Sequence, residues 1–188
     1  MTVPTRNDYV VRAIRPDDWE KVKQLRLDAL RDPIAHLAFL ETYEDAAARP
    51  DSFWQDRAVG SGEGSTTSLQ FIAEAPDGTW AGSVTVLVEE AGTKDWAGYP
   101  VDRRQGHMVG VFVRPEHRGN GLVEALFEAG VAWAWEQQAE RVRLFVHEEN
   151  ARAQAAYRKL GFGPSGRIVS FTKDEAENEL EFVLEPPA

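Results

Sequence analysis

Cysteine is absent from these 188 residues, and histidine and methionine are scarce, at 4 and 2. Without cysteine there can be no disulfide and no thiolate nucleophile. Four scattered histidines offer no zinc-ligand spacing, so no metal is expected. No apolar run approaches the roughly 20 residues that a membrane-spanning helix requires. Met1 to Asp8 lacks the apolar stretch of a secretory signal. The expectation is a cytoplasmic protein without a membrane partner. Cations are also short: 21 Lys and Arg face 31 Asp and Glu, a net charge of -10. Nonspecific nucleic-acid binding depends on Lys and Arg at phosphates, so a nucleic-acid partner is not expected. The acid excess leans toward a cationic small molecule instead.

What is present is a core-forming composition, 43% hydrophobic with six tryptophans. The length suits one domain spanning 1–188, with its core at about 9–185. Tyr9 to Ile14 reads as a first strand. Arg15-Pro16-Asp17-Asp18 opens a helix whose apolar stripe is Trp19, Val22, Leu25 and Ala29. Pro33 to Ala48 reads as a second helix, and Asp51 to Val59 as a third piece. Gly60 to Thr67 is a small, polar loop. Ser68 to Ala75 and Trp80 to Glu89 are strands joined by the turn Pro76-Asp77-Gly78-Thr79. Glu90 to Gln105 is long for a hairpin connection. Near the end, Phe162 to Phe171 and Glu179 to Leu184 read as an antiparallel pair.

Val109 to Val113 is a short β-branched run that stops at Pro115 and passes into Arg118-Gly119-Asn120-Gly121. An amphipathic helix follows, with Leu122, Leu126, Ala129 and Trp133 on its apolar face. Strand, glycine turn and helix together aim unpaired N–H groups and a positive helix end at an anion. This is no P-loop, because no Lys-Ser or Lys-Thr follows the glycines. Nor is it a dinucleotide turn, because Glu124 stands where the third glycine belongs. Further on, Arg141 to Val146 alternates as a strand. Asn150 then suits an N-cap, Ala153, Ala156, Tyr157 and Leu160 share one helical face, and Gly161 suits a C-cap. Three alanines leave that face thin enough for a ligand to lie near the helix backbone. Tyr157 is its only polar-tipped group, open to two readings: a core tyrosine with a satisfied hydroxyl, or a proton donor.

These two segments resemble the GNAT superfamily of acyl-CoA-dependent N-acyltransferases. The pyrophosphate signature [Q/R]-x-x-G-x-[G/A] is read at Arg118-Gly119-Asn120-Gly121-Leu122-Val123, Val123 standing where the family prefers a small residue. The signature N-x-x-A-x-x-x-Y-x-x-x-G-F is met at Asn150, Ala153, Tyr157, Gly161 and Phe162. The resemblance implies an α/β (α+β) fold, a mixed, mostly antiparallel central sheet flanked by helices. It implies acetyl-CoA as cosubstrate and transfer of its acetyl group to a primary amine in a ternary complex. The cofactor would lie against Val111, Phe112 and Val113, the Arg118–Val123 turn, Asn150, Ala153 and Tyr157. Tyr157 would be the general acid and a main-chain N–H near Val111 to Val113 the oxyanion donor. Some members place a glutamate early on the motif-bearing strand as base. The matching position here is His107, with His147 a second candidate, while His36 and His117 lack supporting context. Glu89, Glu90 and Asp95 are expected to attract a cationic substrate. Leu37 to Trp54 and the loop with Trp96 and Tyr99 are expected to build the acceptor side. A small-molecule amine is the first expectation, with a protein or peptide amine, or a non-catalytic acyl-CoA-binding module, as alternatives. Both monomer and homodimer stay open.

Overall fold

The computed structural model describes residues 3–4, 8–33, 35, 39, 41–95, 97–170 and 177–188. Among the described residues eight strands form one sheet: β1 (Val3–Pro4), β2 (Val10–Ala13), β3 (Ser68–Glu74), β4 (Trp80–Glu89), β5 (Gln105–Val113), β6 (Arg141–His147), β7 (Gly163–Val169) and β8 (Glu179–Leu184). Their order is β1-β2-β3-β4-β5-β6-β8-β7. Every neighbouring pair is antiparallel except β5 and β6. That parallel pair needs a crossover, and helix α4 (Leu122–Glu136) supplies it. The mixed, mostly antiparallel sheet implied by the sequence is the sheet observed.

Helices cover both faces. Leu122, Leu126, Ala129 and Trp133 of α4 are all buried against Val84, Val86, Met108 and Val142 on one face. Mid-helix Gly130 lets that packing close up: a Cβ there would stand 2.9 Å from Val86 Cγ2 and 2.8 Å from Met108 Cε. Helix α5 (Ala151–Lys159) lays Ala153 and Tyr157 on the same cluster. Helices α1 (Trp19–Leu30), α2 (Tyr43–Ala47) and α3 (Asp51–Gly60) bury Val22, Leu25, Ala29, Ala46, Trp54 and Ala58 against the other face. Trp54, expected on the acceptor side, is a fully buried core residue.

The expected helix over 33–48 is shorter. Among the described residues Ala35 is helical, Glu41 and Thr42 are not, and Tyr43–Ala47 is a separate helix started by Thr42, whose hydroxyl accepts the Asp45 N–H at 3.2 Å. His36, Leu37 and Trp96 lie outside the described residues. No helix among the described residues is long and apolar enough to cross a membrane.

Candidate active site

Two features of β5 open a wedge in the sheet. Against β4, Ser83 pairs with Phe112 but Thr85 pairs with Val109, so the register slips by one residue. Gly110 takes up the extra residue at φ +64°, a conformation that favours glycine. Against β6, pairing runs only over Gln105–His107 and stops. Beyond it β6 continues alone with β8, from Leu144 to His147. The β6-facing edge of residues 108–113 is left without a strand partner, which suits a peptide-like ligand arm. One part of that edge is taken: the Val113 carbonyl, expected to be free, accepts Arg118 Nε at 3.1 Å.

The glycine turn closes the open end of the wedge. Gly119 and Gly121 have φ of +84° and +73°, and Gly121 is the N-cap of α4, with no side chain capping the first N–H groups. Those donors are therefore available to an anion. Arg118 braces the turn: besides Val113, it binds Asp32 at 2.8 Å. Asn120 also braces it, donating from Nδ2 to the His117 carbonyl at 2.9 Å. His117 is tied in turn to the Tyr9 hydroxyl at 2.8 Å.

A recess of about 500 Å³ runs from this turn to α5. Val111, Phe112, Val113, Arg118, Gly119, Gly121, Leu122, Val123, Asn150, Ala153 and Tyr157 all line it. Of the residues expected at the cofactor, Asn120 alone is outside this lining. Two cations that the sequence reading did not single out, Arg152 and Lys159 of α5, stand on its rim. Nothing in a single sequence marks them, because the face they share appears only once α5 is docked. The groups present fit an acyl-CoA: amide donors at the glycine turn, an unpaired strand edge, apolar side chains, and the cations Arg152 and Lys159 along α5.

A second recess of about 350 Å³ meets the first at Val111, Asn150, Ala153 and Tyr157. Tyr157 thus stands at the junction. Burial first, and the Glu179 carboxylate second, push its pKa up to about 12. The second recess also holds His107 and Glu179. Glu179 is a further lining residue that sequence reasoning missed. It opens β8, far along the chain from either motif, and only the β6–β8 pairing carries it to the wedge, opposite His147. Among the described residues its carboxylate has no hydrogen-bond or ion-pair partner, and burial, then the charge of Glu177, raise its pKa to about 7.

The two histidines differ in what they can accept. His147 Nδ1 lies 3.1 Å from the Glu149 main-chain N, which can only donate. That nitrogen's lone pair is used, the neutral ring carries its proton on Nε2, and His147 has no free site for a proton. His107 Nδ1 faces Glu89 Oε2 at 3.4 Å, and a carboxylate can only accept, so its Nε2 keeps a lone pair. Its side chain is buried, 2% exposed.

Glu89 and Asp95 do not greet a substrate. They surround the fully buried Arg143 with Glu181, at 2.9, 2.8 and 3.1 Å. Burial works against the Glu89 charge, but His107, Arg143 and Gln105 outweigh it and lower its pKa to about 2. Glu90 is likewise paired, with Arg104. The expectation that these acids attract a cation fails because Arg143 of β6 claims Glu89 and Asp95, and Arg104 claims Glu90. Tyr99 lies beneath Arg167, 5.9 Å from ring centroid to guanidinium, and takes no part in either recess.

Comparison with known proteins agrees with this geometry. Residues 19–162 match the acetyltransferase (GNAT) family. Over 92 residues the chain is 38% identical to a mycothiol acetyltransferase of Saccharomonospora viridis, covering 49% of this chain and 29% of that protein. It is 27% identical over 200 residues to a streptothricin acetyltransferase of Streptomyces lavendulae, covering 100% of both. A solved acetyltransferase of the same family from Streptococcus pneumoniae superposes with a TM-score of 0.72 over 94% of this chain and 98% of that one. At 18% identity this likeness speaks for the fold alone.

Proposed function

The chain belongs to the GNAT family of acetyltransferases, and we propose that it transfers the acetyl group of acetyl-CoA to a primary amine of a small molecule. The observation that carries the reading is the junction of two recesses at Tyr157. One recess has the donors an acyl-CoA needs, and the other, which would take the amine, shares Tyr157 with it. Support for a small-molecule acceptor comes from relatives named for streptothricin and mycothiol.

Acetyl-CoA supplies an activated thioester, and the residues must hold it, polarise it and manage two protons. The Gly119–Gly121 turn, the α4 N-terminus, Arg152 and Lys159 bind the phosphate end. The free edge near Val111 aligns the pantetheine arm and offers an N–H to the carbonyl oxygen as it gains charge. Asn150 and Ala153 shape the far wall. Tyr157, protonated far above neutral pH, donates to the departing sulfur.

The incoming amine must lose a proton. Glu179 takes it: its carboxylate has no partner among the described residues, lines the acceptor recess, and has its pKa raised to about 7, where proton transfer at neutral pH is most efficient. A second reading gives this role to His107 through its free Nε2.

The test is acetyl-CoA turnover across amine classes, read as released thiol. The protein has no cysteine, so the thiol reagent sees coenzyme A alone. Acetylated product at the amine is expected. Tight acetyl-CoA binding with no turnover on any amine would instead make this a binding module.

A further inference from the structure

We infer that the acceptor carries a carboxylate as well as its amine, and that Arg57 is the residue that receives it. The inference rests on the acetyl-transfer reading and names the acceptor class for it.

The acceptor recess has a basic wall. Arg26, Arg57, Glu41 and Phe39 line it on the side of α1 and α3. Glu41 is saturated. Its Oε2 accepts Arg26 Nη2 at 3.0 Å and Nε at 3.2 Å, and its Oε1 accepts Arg49 Nε at 2.9 Å. Arg57 stands beside these groups with no hydrogen-bond or ion-pair partner among the described residues. The sequence from 34 to 40 has no acidic residue. Three guanidinium groups therefore face one carboxylate, a local excess of +2. Burial, and then the charge of Arg26, make the Arg57 charge costlier to keep and lower its pKa. A half-buried guanidinium with unused donors is costly unless something fills its fork. A carboxylate does so with two parallel bonds and cancels the charge.

Two placements say that the filler is the acceptor and not the cofactor. Arg57 lines the second recess and a small cavity behind it, but not the recess that holds the glycine turn, Arg152 and Lys159. Across the same recess stands the Glu179 carboxylate. A cation-seeking group and an anion-seeking group thus share one opening of about 350 Å³. This matches a molecule with an amine at one end and a carboxylate at the other, an amino acid or a short peptide-like acid. The net charge of -10 over the chain favours a cationic ligand at long range. At contact distance the wall of the recess has the opposite sign, and contact decides specificity.

Paired acceptors test this: lysine against cadaverine, and phenylalanine against phenethylamine, with β-alanine as a short probe. Two readouts are used on the wild type, Arg57→Gln and Arg57→Lys, namely thiol release with acetyl-CoA and saturation-transfer NMR of each probe on the coenzyme A complex. The wild type should favour the carboxylated member of each pair by about 10- to 100-fold, the worth of one charge-assisted contact. Arg57→Gln should erase that preference by loss of the carboxylated members, with acetyl-CoA affinity unchanged and the decarboxylated amines used at least as well as by the wild type. Arg57→Lys, with charge but no fork, should keep part of it. Equal or better use of the decarboxylated amines by the wild type overturns the inference, as does a preference that survives Arg57→Gln. If no probe is acetylated but another amine of the wider screen is, the inference about the acceptor is overturned; if no amine of that screen is acetylated, the acetyl-transfer reading loses its support. NMR then decides Arg57 alone: carboxylate binding lost in Arg57→Gln sustains the anion site, and no carboxylate binding by the wild type removes it.

Discussion

His107 of β5 faces Arg143 of β6 across the last paired rung of the parallel ladder, and the strands part immediately beyond it. The wedge that the cofactor would enter therefore has its apex at a buried ion cluster. Arg143 there binds Glu89, Asp95 and Glu181, and Glu89 also meets His107. Asp95 reaches further, accepting the Ala97 and Tyr99 N–H groups at 2.9 Å each, so the loop before β5 is fastened to the same point.

Arg143→Met should accordingly destabilise the fold by about 3–5 kcal/mol, because it leaves buried carboxylates without their counter-charge. Urea unfolding measures it. The loss should shrink at low pH, where the carboxylates left without Arg143 can be protonated. A cost below about 1 kcal/mol at neutral pH would mean that the cluster does not hold the apex.

Gly121→Val should weaken acetyl-CoA binding at least tenfold by calorimetry while the protein still folds. No heavy atom lies within 4 Å of the added Cβ, so the cost to the fold is the left-handed φ of +73°, about 1–2 kcal/mol. The ligand meets a branched side chain where the turn must approach a phosphate. Asp32→Asn should act in the same direction more mildly, since Asp32 holds Arg118 in place. Neither substitution should alter binding of a pantetheine fragment that has no phosphates. Equal loss for fragment and cofactor would place the anion site elsewhere.

The elements of the candidate cofactor half were legible because each is local. A glycine turn, a helix start at Asn150 and a thin alanine face are each set by residues a few positions apart, and the structure assembles them as the sequence implies. The strands Trp80–Glu89 and Glu179–Leu184 also fall where the sequence reading placed them. What escaped reading depends on distant pairing. Glu89 and Asp95 look like free acids until β6 brings Arg143 between them. Glu179 is an ordinary strand-opening glutamate until β8 joins β6 at the wedge. Arg57 is one more helix cation until Glu41 is seen to be spent on Arg26 and Arg49. The bulge at Gly110 left no mark either, since β-branched residues flank it on both sides and the register slip belongs to β4 and β5 together.

Tyr157→Phe should lower kcat by roughly 10²–10⁴-fold with acetyl-CoA affinity within a few fold of wild type. The raised pKa adds a second expectation. Wild-type activity should show no basic limb from this hydroxyl until pH nears about 12, so a limb at 9 or 10 must come from another group. Unchanged kcat, with chemistry shown to limit turnover, would return Tyr157 to a packing role against Phe127, whose ring centroid is 5.4 Å away.

Glu179 links activity and stability through one titration. Its folded pKa, about 7, lies above the ordinary carboxyl value of 4.5, so between these values the folded state binds more protons than the unfolded state. Stability must then fall as pH rises through that window, by on the order of 1–3 kcal/mol once solvent screening is allowed for. Glu179→Gln removes the titrating group, so it should raise the melting temperature at pH 8 and change it little at pH 4. The same proton governs catalysis in the opposite sense. With Glu179 as proton acceptor, kcat/KM rises with pH through an apparent pKa near about 7, and that limb disappears in Glu179→Gln. Acceptors of different amine pKa separate this limb from titration of the substrate. A limb that persists in Glu179→Gln but vanishes in His107→Gln would transfer the proton to His107 Nε2 and leave Glu179 as an electrostatic anchor for the amine.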